Sequence, residues 1–219
     1  MTFASGDPPS GGGDPSARSA HPSARSAHPS SSSSDPSGPA PRLRLFVALE
    51  LPAAARAALV AFRDEAAEPR IWRPVPDEAL HLTLAFLGHR PEGDVETISR
   101  DLCALTDPAP RLALGSALLL PPRRSRVLTV SLADLDGTLA TLQGHVSDAL
   151  EEAGVFVPEK RPFRAHATVA RLRPRERAPR SVDAEPVPLE FRADTVTLFV
   201  SRLHPRGARY EALSRVTLR

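Results

Sequence analysis

Residues 79–88 read Ala79-Leu80-His81-Leu82-Thr83-Leu84-Ala85-Phe86-Leu87-Gly88, an alternation of polar and apolar side chains that continues as an apolar run to a glycine. This pattern predicts a β-strand that ends at Gly88. Side chains two positions apart on a strand point to the same face, so His81 and Thr83 share one face and the leucines beside them share the other. An imidazole and a hydroxyl are therefore held side by side on a rigid element.

A second stretch repeats this arrangement. Residues 161–172 read Arg161-Pro162-Phe163-Arg164-Ala165-His166-Ala167-Thr168-Val169-Ala170-Arg171-Leu172, and the same periodicity places His166 and Thr168 on one face of a second strand. We therefore expect the fold to bring two His-x-Thr strands to face each other.

The chain divides by composition. Residues 1–40 are rich in Ser, Pro and Gly and contain almost no large apolar side chains, so we predict a disordered tail there. Residues 41–219 have the composition of one globular domain, which we expect to contain two lobes. The sequence contains no apolar run long enough for a transmembrane helix and no secretory signal pattern, and its single cysteine fits a reducing compartment. We therefore expect a cytoplasmic protein that does not contact membranes.

The net charge is +2, and the positive charge is almost entirely arginine. Arginine suits contacts with phosphate groups, although a coding bias toward arginine explains the same composition. This weak positive charge allows a nucleic-acid partner without requiring one.

The order of predicted elements indicates an α+β fold. The His81 strand follows a strand–helix pair, and the His166 strand follows a helix, so the two halves have similar plans. The predicted strands are 43–50, 81–88, 111–120, 126–132, 164–172, 189–200 and 209–218, and the predicted helices are 53–67, 91–105 and 134–153.

Two histidines with paired threonines suit acid–base chemistry on a phosphodiester. One imidazole can be neutral while another is protonated near neutral pH, which supplies a general base and a general acid. The threonine hydroxyls can donate to the two non-bridging phosphate oxygens. Ligand spacings typical of metal sites are missing from the sequence, so we expect no metal and no cofactor. The alternative is two half-buried strand histidines that bond only to backbone.

Several stretches together resemble the 2H phosphoesterases, and specifically the RNA 2′,3′-cyclic phosphodiesterases, also called 2′-5′ RNA ligases. They span the body of the chain from about residue 43 to residue 215. The stretches are Arg44-Leu45-Phe46-Val47-Ala48-Leu49-Glu50-Leu51-Pro52, His81 to Gly88, Arg161-Pro162-Phe163 before His166 to Arg171, Leu198-Phe199 and Arg209-Tyr210.

The resemblance implies a bilobal, pseudo-twofold fold in which two antiparallel sheets flank a central cleft and the helices lie outside. It implies hydrolysis of RNA 2′,3′-cyclic phosphate ends to 2′-phosphates. By this analogy His81 is the general acid that protonates the 3′ leaving oxygen, and His166 is the base that activates water. Thr83 and Thr168 would hold the phosphate oxygens.

Two further residues are candidates for substrate binding. Arg171 follows His166 by five residues, as in the family pattern, but its strand parity places it on the opposite face unless a bulge turns it. A surface arginine at a strand end is the alternative. Phe46 is a candidate for stacking on a terminal base, and a core phenylalanine is the alternative.

Other functions remain open at this point. The same fold could form or cleave a 2′-5′ linkage, hydrolyse another cyclic phosphodiester, or bind RNA ends without catalysis. The expected partner is RNA with a 2′,3′-cyclic phosphate or 2′-phosphate end, and the protein is expected to be a monomer.

Overall fold

Strands β3, His81–Pro91, and β6, His166–Leu172, lie next to each other in the middle of a nine-stranded antiparallel sheet. A computed structural model describes residues 41–202, 204 and 207–219. The predicted disordered tail, residues 1–40, lies outside the described residues. The other strands are β1 Arg42–Glu50, β2 Trp72–Pro74, β4 Arg111–Leu120, β5 Val127–Asp134, β7 Glu190–Arg192, β8 Thr195–Arg202 and β9 Arg209–Thr217, and the α-helices are α1 Ala53–Ala66, α2 Asp94–Cys103 and α3 Thr138–Glu152.

Eight of the nine strands form two four-stranded halves with related plans, and the ninth, β2, pairs with β6. The strand order is β7-β4-β5-β6-β3-β1-β8-β9, so each half carries its His-x-Thr strand at the inner edge. The α+β class predicted from the sequence is confirmed. The two predicted sheets are, however, halves of one sheet, because β3 and β6 pair at Leu82 and Ala167. This pairing satisfies two strand edges that would otherwise be open.

The helices cover the sheet face that is opposite the histidines. Leu82 and Val169, which alternate with the His and Thr side chains, are completely buried in the hydrophobic core. Helix α3 contributes Leu139, Leu142 and Leu150 to the same core, at helical spacing along one stripe. The face that carries the two histidines is left available for a substrate.

Strand β3 does not end at Gly88, as the sequence predicted, but continues to Pro91. Gly88 has φ +69, and the register between β1 and β3 shifts at this point. A β-bulge with a left-handed glycine bends a strand without ending it, which explains the difference. Three smaller differences remain between the predicted and the observed elements. The sequence predicts a loop where β2 lies, and one strand over 189–200 where the structure has β7 and β8. Helices α2 and α3 begin later than the sequence predicts.

In the described residues, no helix is long and apolar enough to cross a membrane.

Candidate active site

The β3–β6 pairing brings the two His-x-Thr motifs into one cluster. Leu82 lies opposite Ala167. In an antiparallel ladder this register places His81 opposite Thr168 and His166 opposite Thr83. The two histidines therefore occupy diagonal positions, which are about 7–8 Å apart between Cα atoms in a regular ladder. This separation leaves room for a small group, such as a phosphate, between the imidazoles.

Each imidazole is held by the backbone in the same way. The Nδ1 atom of His81 is 2.7 Å from the carbonyl oxygen of Ala79, and the Nδ1 atom of His166 is 2.7 Å from that of Arg164. A carbonyl can only accept, so Nδ1 carries the hydrogen and donates it. Nε2 is then the ring nitrogen without a hydrogen in each neutral imidazole, and it can accept a proton. In the alternative interpretation the histidines bond only to backbone, but in each ring only Nδ1 makes such a bond.

The hydroxyl of Thr83 lies 3.1 Å from Nε2 of His81. With Nδ1 protonated and Nε2 not, the hydroxyl is the donor in this bond. The acid or base nitrogen of His81 is therefore adjacent to a group that can also donate to a phosphate oxygen.

A buried arginine on α1 bonds to the segment that leads to Ala79. Arg63 donates from Nη1 to the carbonyl of Val75 and to the carboxylate of Asp77, both at 2.7 Å. Asp77 begins the 3-10 turn that ends at Ala79. The orientation of His81 is thus connected to the helix layer through hydrogen bonds to a short turn.

Aromatic side chains surround the His81 ring. The ring centroid of Phe46 is 5.0 Å away, and that of Tyr210 is 5.3 Å away in an edge-to-face arrangement. The pKa of His81 is lowered from 6.5 to about 4, chiefly by burial; the hydrogen bond to Ala79 opposes this shift, and the positive charges of Arg171 and His166 add to it. His81 is therefore neutral at pH 7 in the protein without substrate.

This pKa makes stability depend on pH. The unfolded chain binds a proton at His81 below pH 6.5, whereas the folded chain binds it only below about pH 4, so the stability contributed by the neutral ring is lost as the pH falls between these values. From pH 7 to pH 5 the wild type should lose about 2 kcal/mol of unfolding free energy that His81→Gln does not lose. Urea unfolding of both proteins at the two pH values checks this. An equal pH dependence in both proteins would contradict the lowered pKa, and His89→Gln, an exposed histidine on the same strand, is the control.

Arg171 lies on the same face as the histidines, because β6 contains a bulge. In the pairing with β5, Thr129 lies opposite Thr168 and Leu128 lies opposite Ala170, so Val169 is an extra residue. Val169 and Ala170 are both buried, and Arg171 is exposed. Because the bulge adds one residue, the side chains after it point to the face opposite the one that simple alternation predicts. Arg171 also lines a recess of about 30 Å³ together with Arg73 and Tyr210.

Phe46 is buried, which does not fit the predicted contact with a terminal base. Its side chain is 1% exposed, and its ring also contacts Phe86, Phe199 and Tyr210 at centroid distances of 5.7, 5.2 and 5.0 Å. A base cannot stack on a ring without an accessible face, so the structure favours a packing role for Phe46, which is buried on the histidine side of the sheet and outside the hydrophobic core cluster. Its contact with His81 gives it a role in burying the imidazole.

Phe86 is the residue that the sequence analysis missed. It is 49% exposed, and it follows His81 by five residues, as Arg171 follows His166. Strand β3 has a bulge at Leu84 that matches the one in β6, because Val47 pairs with Ala85 while Ala48 pairs with Thr83. The two halves therefore place an exposed aromatic ring and a guanidinium at equivalent positions. Counting five residues from both histidines would have found it.

Among the described residues, no group of three His, Cys, Asp or Glu side chains is arranged to hold a metal ion.

Comparison with known proteins identifies a family and two relatives. The family model described as LigT like Phosphoesterase matches residues 49–129. The RNA 2′,3′-cyclic phosphodiesterase of Thermus thermophilus is 34% identical over 185 residues, which cover 81% of this chain and 91% of that protein. The protein of the same name from Escherichia coli is 32% identical over 128 residues, or 58% of this chain and 71% of that protein.

Solved structures agree with these relatives. Escherichia coli LigT complexed with 3′-AMP has a TM-score of 0.70 and 29% identity, with 81% of this chain and 99% of that chain covered. TT0787 of Thermus thermophilus has a TM-score of 0.69 and 31% identity, with 80% and 97% covered. The family predicted from the sequence is therefore confirmed: the chain belongs to the LigT-like phosphoesterases, a family of the 2H phosphoesterase type.

Proposed function

We propose that this protein hydrolyses RNA 2′,3′-cyclic phosphate ends to 2′-phosphomonoesters, with His81 and His166 as an acid–base pair. The observation that carries the proposal is the diagonal placement of two histidines whose Nδ1 atoms are both bound by carbonyls. That arrangement leaves two titrating nitrogens on either side of one small space. The names of the Thermus thermophilus and Escherichia coli relatives support the substrate class.

The reaction follows from the two nitrogens. Nε2 of His166 takes a proton from water, the water oxygen attacks phosphorus, and the bond from phosphorus to the 3′ oxygen breaks. Nε2 of His81 gives its proton to that oxygen, so the phosphate stays on the 2′ oxygen. The hydroxyls of Thr83 and Thr168 donate to the non-bridging oxygens as negative charge accumulates there.

The general acid must be protonated, and His81 is neutral before substrate binds. The bound cyclic phosphate brings a negative charge beside the ring, which opposes the effect of Arg171 and raises the pKa of His81. Substrate binding therefore brings a proton to His81. The geometry alone is compatible with the opposite assignment of acid and base, and the direction proposed here is the one that the family resemblance implies.

Phe86 and Arg171 flank the histidine cluster at opposite ends, because β3 and β6 are antiparallel and each residue follows its own histidine by five. A base can stack on the exposed face of an aromatic ring and on a guanidinium plane. Both residues lie on the sheet face that carries the histidines, each farther along its strand than the threonine. We assign Phe86 the base contact predicted for Phe46, and Arg171 a charged contact with the phosphate.

The finer assignments belong to this proposal too. Residues 41–219 form the phosphoesterase domain, the protein acts as a monomer in the cytoplasm, and catalysis requires neither a metal nor a cofactor.

Three substrates test the proposed function. The first is an oligoribonucleotide with a 2′,3′-cyclic phosphate end, the second is the same oligomer with an internal 2′-5′ linkage and a hydroxyl end, and the third has only 3′-5′ linkages and a hydroxyl end. We expect turnover of the first substrate with a much larger kcat/KM than that of the other two. Preferential cleavage of the 2′-5′ linkage would replace the proposal with a 2′-5′ phosphodiesterase or ligase. Binding without turnover of any substrate would indicate an RNA-end-binding protein.

A further inference from the structure

A basic groove lies on the β1–β3–β8 half of the sheet, away from the histidines. It has a volume of about 280 Å³, and its polar lining contains three arginines, one histidine and one serine. None of the described residues that line it carries a carboxylate. The lining residues are Arg42, Leu43, Arg44, His89, Val200, Ser201 and Arg202.

Two of these guanidinium groups are paired with neutral atoms. Nη2 of Arg42 donates to the carbonyl of His89 at 2.6 Å, and Nη1 of Arg44 lies 3.4 Å from the hydroxyl of Ser201. Arg202 pairs with Glu211 at 2.8 Å, but both side chains are more than half exposed, so solvent screens this ion pair. The groove therefore keeps most of its positive charge for an anion.

The groove continues directly from the proposed base contact. The guanidinium carbon of Arg44 is 5.4 Å from the ring centroid of Phe86. Along β3 the order is His81, Thr83, Phe86 and then His89, all on the strand that carries the catalytic motif. From Thr83 to His89 the paired strand β1 advances four residues, from Ala48 to Arg44, a rise of about 13 Å, which is longer than one nucleotide.

We infer that this groove is a phosphate subsite for the RNA strand on the 5′ side of the cyclic end. An aromatic ring followed by arginines along one line is the arrangement that binds single-stranded nucleic acid, with bases on the ring and backbone phosphates on the guanidinium forks. The inference rests on the proposed function, because it makes the cyclic end of an oligomer, rather than a free cyclic mononucleotide, the preferred substrate. A small phosphate-containing molecule could bind to the same arginines. Only an RNA strand that is continuous with the cyclic end would make KM depend on the length of the substrate.

The test compares a nucleoside 2′,3′-cyclic monophosphate with an oligoribonucleotide of about eight residues and the same cyclic end, within the usual size of single-strand sites. The full-length protein and the variant Arg42→Gln/Arg202→Gln are assayed. In the variant we expect KM for the oligomer to rise about tenfold, because charge-assisted bonds to phosphate are lost. KM for the mononucleotide should stay at the wild-type value. The slope of log affinity against log salt should fall by about 0.7 for each lost phosphate contact.

Three further variants sharpen the result. Arg100→Gln removes one exposed charge from α2, on the helix side of the sheet, and should change nothing. Arg42→Lys keeps the charge without the planar fork, so its KM for the oligomer should lie between those of the wild type and of Arg42→Gln/Arg202→Gln. Arg123→Gln tests the arginine-rich loop between β4 and β5 as an alternative path, and a larger effect on oligomer KM there than in the groove variant would overturn the inference.

The remaining outcomes separate the subsite from the proposed function. Equal KM changes for both substrates, or no change for either, would overturn the subsite while leaving the proposed function intact. If the wild type hydrolyses neither substrate, the proposed function fails. Fluorescence anisotropy of a labelled oligomer with a hydroxyl end then tests whether the groove binds RNA. An unchanged salt dependence of the affinity in Arg42→Gln/Arg202→Gln would overturn the subsite, and a reduced salt dependence would support it.

Discussion

Replacing His166 or His81 with alanine should lower kcat on a cyclic-ended oligoribonucleotide by about 10²–10⁴-fold, because each variant lacks one of the two proton transfers. The proposed base, His166, is needed to generate the nucleophile, and the proposed acid, His81, is needed to release the 3′ oxygen. KM should change much less, since the threonines and the base contacts remain. Steady-state kinetics on the two single variants and the double variant measure this.

The double variant gives the sharper result. When two groups act in one step, removing either of them abolishes the effect of both. The kcat of the double variant should therefore be close to that of the slower single variant, and much higher than two multiplied losses would give. The matched control is His145→Gln, a histidine on α3 that bonds Asp107 and lies outside the cluster. Strictly multiplicative losses, or wild-type turnover in either single variant, would contradict an acid–base pair.

The threonines carry the second large effect. Thr83→Val and Thr168→Val each keep the side-chain shape and remove one hydroxyl donor to a non-bridging oxygen. Loss of one such donor to a charge that develops in the transition state should lower kcat by about 10²–10³-fold. Thr83→Ser and Thr168→Ser keep the donor and should recover most of the activity.

The comparison between the two threonine variants tests the symmetry of the site. The β3–β6 register places each threonine across from the histidine of the other half, so both hydroxyls face the same space. The two valine variants should therefore lose similar amounts of activity. Full activity in Thr168→Val alongside a large loss in Thr83→Val would mean that only the first motif holds the phosphate.

Much of the site followed from strand periodicity. The alternation around His81 and around His166 predicted which side chains share a face, and Leu82 and Ala167 are buried on the opposite face as expected. The family was also recognisable, because several motifs occur in order along the chain. The roles of the individual site residues stay predictions until the variants are measured.

The bulges could not be read from periodicity. One extra residue reverses every side chain that follows it, and the bulge at Val169 moves Arg171 to the histidine face. The only local sign is a pair of adjacent apolar residues after each threonine, Leu84-Ala85 and Val169-Ala170, which simple alternation does not produce. Because the sign occurs in both motifs, it predicts related bulges once the two halves are aligned.

The two phenylalanines show a second limit. Phe46 and Phe86 are directly opposite each other in the β1–β3 ladder, yet Phe46 is 1% exposed and Phe86 is 49% exposed. The difference arises from Phe199 and Tyr210, which pack on Phe46 from strands far away in the sequence. Local pattern cannot report such long-range contacts.

Turnover of an oligoribonucleotide with a 2′,3′-cyclic phosphate end, measured in excess EDTA with identification of the product end, tests the central claim most directly. We predict that the wild-type protein converts the cyclic end to a 2′-phosphate at the same rate with and without EDTA, because His81 and His166 supply both proton transfers. A 3′-phosphate product would contradict the proposed placement of the two histidines. Loss of turnover in EDTA, or no turnover while the RNA still binds, would contradict a metal-independent two-histidine hydrolysis.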